Sequence, residues 1–137
     1  FQIAYLYIEL YLRRGISVIF DGVQNYEPGR ARLIEIARET GVKPLFISLD
    51  VPIPELERRI KARQNDPFGS EADVDVLHAM LTSLAESPGL EITFEKLTQE
   101  GFCPLVLESG ENYKLKILRM ADDFPLELLE PLPVSHE

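Results

Sequence analysis

Residues 44–64 read PLFISLDVPIPELERRIKARQ, and the fold class turns on this stretch. Leu45 to Leu49 is an apolar run of strand length with Asp50 after it. So little polar alternation suits a strand covered on both faces, as in a parallel sheet. Pro54 then stands at the start of a helix, where its missing N–H costs nothing, and the helical pattern runs to about Gln64.

The same grammar repeats upstream. Ile16 to Phe20 is a second short run, rich in β-branched residues and closed by Asp21-Gly22, and it reads as another buried strand. Ahead of it, residues 2–14 predict a helix, with Ile3, Leu6, Tyr7 and Leu10 at i, i+3, i+4 and i+7 and Gly15 as the stop. Between the two runs, Pro28 and Gly29 open a helix over Arg30 to Thr40, which Gly41 closes.

Downstream, Asn65 to Gly69 reads as a turn. Ser70 is the expected N-cap of a helix carrying Val74, Leu77, His78 and Leu81 on one stripe, with Asp73 as the capping-box partner and Ser87-Pro88-Gly89 as the stop. A short helix is expected from about Glu95 to Gly101, a third strand at Leu105 to Leu107 and a last helix over Tyr113 to Asp122. From Phe124 the chain, with Pro125, Pro131 and Pro133, reads as an extended tail. The expected organisation is thus one partial domain over 1–123 and a tail over 124–137. Strands alternating with helices predict a three-layer α/β fold with a parallel sheet, whose ligands bind beyond the carboxyl ends of the strands, where Asp21 and Asp50 stand.

Bulk properties narrow the function. With 137 residues, 45% apolar and 27% charged, the chain can build one core. Its net charge of −9, from 23 acidic and 14 basic residues, argues against broad binding of extended nucleic acid or of an anionic membrane, both of which need a basic face. Cys103 is the single cysteine, so no intrachain disulfide or zinc cluster is expected. No run approaches the roughly 20 apolar residues of a membrane span, and a cytoplasmic location is the expectation. The chain opens on Phe1 directly into an apolar helix, and on that ground it reads as a fragment.

Few residues carry chemistry. Asp21, at the end of an apolar strand, suits magnesium held through water or acceptance of a hydroxyl proton; a plain loop acid is the alternative. At about 100° per residue, Arg59 and Arg63 share a helical stripe with Leu56 and Ile60, whereas Arg58 and Lys61 lie on the far face. Such arginines can clamp phosphate oxygens, or they can form structural salt bridges with the many acids available. Arg30 and Arg32 open a helix whose N-terminus favours anions, with surface solvation as the competing reading. Asn25 and Tyr26 could recognise substrate or simply make a turn. His78 reads as a packed, hydrogen-bonded histidine, and Cys103 as packed and inert.

In order along the chain, ISVIFDG, NYEPGRARLIEIARETG, PLFISLDVPIPE, LERRIKARQ and GSEADVDVLHAML resemble the C-terminal part of the P-loop kinases that include polynucleotide 5′-kinase, zeta-toxin and small-molecule phosphotransferases. The resemblance covers about residues 5–108, and the order of the short motifs carries it more than any one of them. It implies a P-loop NTPase-like α/β fold, with a lid region over about 54–89. It implies ATP and Mg2+ as cofactors and transfer of a phosphoryl group to a hydroxyl of a small molecule or nucleotide. Asp21 would hold magnesium or the substrate hydroxyl, Arg59 and Arg63 would be lid arginines on the transferring phosphoryl group, and Arg32 would lie on the substrate side. The G-x-x-x-x-G-K-[ST] cradle does not occur in the 137 residues; the resemblance places that loop, and its strand, ahead of Phe1. On this reading the chain alone would be inactive. The competing reading is a non-catalytic nucleotide-fold module that binds a protein partner. A haloacid-dehalogenase-like phosphatase would need a second Asp where Val23 stands, and a helix precedes the strand.

Overall fold

The computed structural model describes residues 2–64, 66–67, 73–87 and 91–130. The elements run α1 (Gln2–Arg13), α2 (Glu27–Thr40), β1 (Leu45–Asp50), α3 (Ile53–Arg63), α4 (Val74–Glu86), α5 (Phe94–Glu100), β2 (Cys103–Ser109) and β3 (Leu115–Met120), with 3-10 turns at Glu111–Tyr113 and Leu126–Leu129. The three strands form one sheet in the order β1-β2-β3. The chain divides into two units, Phe1–Phe46 with Ile92–Pro104 and Ile47–Glu91 with Leu105–Glu137.

In the first unit α1 packs on α2. Gly29 permits this approach, because a Cβ there would stand 2.9 Å from the Tyr5 hydroxyl. Ile8, Ile36, Ala37, Leu97, Phe102 and Cys103 are buried, and the Phe46 and Phe102 rings meet edge to face at 5.2 Å. Gly41 ends α2 at φ 69°, a left-handed conformation that glycine adopts without penalty, and the Val42 N–H then closes on the Ala37 carbonyl at 3.0 Å. The Thr93 hydroxyl caps α5 by accepting from the Lys96 N–H at 3.1 Å.

In the second unit Ile60, Leu105, Leu107 and Phe124 are buried. α3 packs against α4, a helix with no buried residue of its own. Asp73 caps α4, its Oδ1 accepting from the Val76 N–H at 2.9 Å, so the cap falls three residues after the one expected. Ser70, with the turn residues Asn65, Phe68 and Gly69, the Ser70-Glu71-Ala72 segment, the Pro88-Gly89 stop and the tail from Pro131, lies outside the described residues.

Two expectations are corrected. Ile16–Phe20 is not a strand. The segment is extended but is not a member of the β1-β2-β3 sheet; it is tied locally, by the Ile16 N–H to the Tyr11 carbonyl at 3.0 Å and by the Tyr5–Phe20 ring contact at 6.2 Å. Ile19 is consequently 97% exposed where a core side chain was expected. The predicted helix over Tyr113–Asp122 is instead the hairpin return β3, antiparallel to β2, with Leu105 opposite Met120 and Ser109 opposite Leu115. The stretch LKILRM has good helix formers, but a short turn from an almost wholly buried strand offers it a ladder, and tertiary pairing overrides propensity. The sheet is therefore not uniformly parallel, although the class stays α/β. Within the described residues of the expected tail, Phe124 is buried and a 3-10 turn follows at Leu126–Leu129.

Candidate functional site

The expected site residues fall in both units. Asp21, Asn25 and Arg32 belong to the first, Arg59 and Arg63 to the second.

In the first unit Asp21 is exposed, at the end of the extended segment rather than of a strand. Asn25 is half-buried in the loop ahead of α2. That loop is pinned by Arg30, which sequence reasoning left outside the site. Arg30 is 1% exposed; its Nη1 donates to the Gln24 carbonyl at 2.7 Å, and its Nε and Nη2 each donate to a Glu100 oxygen at 2.8 Å. A bidentate pair of this kind satisfies a buried guanidinium. The hydrogen bond from Arg30 holds the Glu100 carboxyl below its ordinary range, and Glu100 in turn raises the Arg30 pKa. Arg30 therefore serves structure, since it is buried and each of its three side-chain nitrogens already donates within the fold.

Arg32 is committed to carboxylates as well. It pairs with Glu35 at 3.0 Å and with Glu9 at 3.7 Å, and the Glu35 hydrogen bond is the main cause of its raised pKa. It borders a small groove with Gln2, Tyr5 and Leu6. A second groove, along α2, is lined by Glu27, Ala31, Ile34, Glu35, Arg38 and Glu100; three carboxylates against one arginine disfavour an anionic ligand.

In the second unit α3 presents its two arginines differently. Arg59 turns inward: its Nε donates to Glu55 Oε1 at 2.8 Å, and its Nη2 donates to Ser109 Oγ and to the Gly110 carbonyl, both at 2.9 Å. The Tyr113 ring lies beneath the guanidinium, 4.4 Å from Cζ to centroid, which is cation–π distance. Glu55 is buried and also accepts twice from Arg58, at 2.9 and 2.6 Å. The hydrogen bonds of Arg58 and then Arg59 lower its pKa from 4.5 to about 2. Arg63, one turn further along α3, is exposed. In this resting geometry the salt-bridge reading describes Arg59, and Arg63 alone of the pair faces solvent.

His78 is not packed as expected. It is exposed and shares a 2.8 Å hydrogen bond with Glu57, tying α4 to α3. Cys103 is buried, as expected. Glu55 could have been found from sequence, since its spacing to Arg58 and Arg59 is the i,i+3 and i,i+4 spacing of helical ion pairs. Glu100 and Tyr113 left no such signal, because they reach their arginines across 70 and 54 residues of chain, respectively.

Residues 2–87 match an AAA domain family, AAA_33. The chain belongs to that family. AAA_33 is of the P-loop NTPase, kinase-like type, and the α/β architecture described above is consistent with it. No curated protein matches the chain. Among the described residues no helix is long and apolar enough to cross a membrane, and no group of three or more His, Cys, Asp or Glu side chains could cage a metal ion. Magnesium does not need such a cage: it keeps several waters and takes one or two carboxylates together with phosphate oxygens. The exposed carboxylate of Asp21 suits that use.

Proposed function

We propose that the protein containing this chain is an ATP-dependent phosphotransferase of the polynucleotide-kinase and zeta-toxin-like group, acting in the cytoplasm on a hydroxyl of a small molecule or nucleotide. The observation that carries this reading is the family match over residues 2–87, which takes in Asp21, Arg32 and all of α3. The acidic charge balance favours a small substrate over an extended nucleic acid.

On this reading Asp21 holds a magnesium-bound water or accepts the proton of the attacking hydroxyl. Arg63, exposed on the last turn of α3, reaches a phosphoryl oxygen, and Arg59 joins it once freed from its resting partners. Asn25 and Arg32 contribute on the substrate side, with Arg32 exchanging Glu35 for substrate. Bound Mg2+ would neutralise charge on the phosphates of ATP.

The test uses the protein encoded by the complete reading frame that contains these residues. It is incubated with γ-labelled ATP, Mg2+ and a panel of nucleosides, nucleotides and small polyols. Asp21→Asn and Arg63→Ala should each lower the transfer rate by on the order of 100-fold, and Arg14→Ala, an exposed change at the end of α1, should leave it unaltered. Equal rates in all four proteins would remove the assigned roles.

A further inference from the structure

The tip of the β2–β3 hairpin is a tight turn, closed by the Lys114 N–H donating to the Glu111 carbonyl at 3.2 Å. Its central residues, Asn112 and Tyr113, stand at φ 55° and 57°, the positive φ that two-residue hairpin turns use. Asparagine is at home in that region, an aromatic residue less so. The constraints on this turn are specific. The Gly110 N–H donates to the Lys114 carbonyl at 3.0 Å, and the Tyr113 N–H donates to the Gly110 carbonyl at 3.2 Å. The Tyr113 ring, itself largely exposed, has the Arg59 guanidinium on its face.

We infer that this hairpin tip is a latch: Tyr113, with Ser109 and the Gly110 carbonyl, holds the Arg59 guanidinium in a resting position, and a phosphate-type oxyanion that competes for the guanidinium releases it. The name of the anion rests on the phosphotransfer reading; the latch does not. Release has a physical basis. While Nε keeps its 2.8 Å bond to Glu55 Oε1, Nη2 would exchange two neutral acceptors, Ser109 Oγ and the Gly110 carbonyl, for charged oxygens, which make stronger hydrogen bonds. Glu55 would not be stranded as a buried unpaired charge, because Arg58 retains both of its hydrogen bonds to it.

The latch has a signature without substrate. In the whole chain the Arg59 Nη2 protons, which donate to Ser109 Oγ and the Gly110 carbonyl, should be displaced in NMR spectra by the Tyr113 ring current and exchange slowly with water. Tyr113→Gly removes the ring and accommodates the positive φ, so the signal should move to the position of exposed arginines. Titration with inorganic pyrophosphate should move the wild-type signal the same way, and Tyr113→Gly should bind pyrophosphate severalfold more tightly. An Arg59 signal identical in wild type and Tyr113→Gly would overturn the latch. So would a ring-shifted signal that pyrophosphate leaves in place, because the contact would then be a permanent clamp. Should Tyr113→Gly not fold, Ser109→Ala deletes one acceptor and keeps the loop: faster exchange of the Arg59 Nη2 protons supports the latch, and unchanged exchange overturns it. A failed phosphotransfer assay would alter none of these signals, so the two failures are distinguishable.

Discussion

Arg30 and Glu55 are opposite solutions to keeping a charge out of water. Arg30 is enclosed and answered by one distant carboxylate, whereas Glu55 is enclosed and answered by two arginines of its own helix. Removing one member of a buried pair leaves the other uncompensated, so Arg30→Met should destabilise the fold by about 3 kcal/mol in urea titrations. Arg30→Lys should recover little of that, because an ammonium does not reproduce the bidentate fork. For Glu55 the pH dependence has a definite sign. Its folded pKa is lowered, from 4.5 to about 2, so its contribution is complete above pH 4.5 and is lost as pH falls towards 2. A carboxyl-carbon NMR titration of Glu55 should show a midpoint near that lower value, and a midpoint at 4.5 would mean the arginine pair is not formed in solution.

Among the α-helices, α4 is the least buried. It buries no residue, and its described ties to α3 include the exposed His78–Glu57 hydrogen bond. Its amides should therefore exchange with solvent well before those of β2, which is buried along most of its length; equal protection of the two would contradict this packing account. Legibility from sequence also divides at the element scale. The helices α1, α2, α3 and α5 could be read because proline, glycine and apolar spacing mark their limits locally, and β1 because its apolar run is bounded by Pro44 and Asp50. The hairpin strand β3 could not, since LKILRM suits a helix by propensity and becomes a strand only through β2. Ile16–Phe20 failed in the reverse sense: its composition suits a strand, but membership of the sheet, which composition does not encode, does not follow. Of the candidate site, the inward turn of Arg59 was legible from the stripe it shares with Ile60. Its partners on the hairpin were not, because they depend on β3 returning beside β2.

For the whole molecule, the family match and the order of its short motifs lead to one chemical claim. The chain belongs to a P-loop NTPase, kinase-like family, and the proposal is that Asp21 and the α3 arginines act on ATP and a hydroxyl. The measurement that tests this most directly is the fate of the γ-phosphate of labelled ATP in the presence of the protein encoded by the complete reading frame. The account predicts Mg2+-dependent transfer of label to a hydroxyl-bearing small molecule or nucleotide, lost in Asp21→Asn. Failure to bind or turn over Mg-ATP, in a folded protein that instead forms a stable complex with a protein partner, would contradict it and make the chain a non-catalytic module on a kinase-type fold.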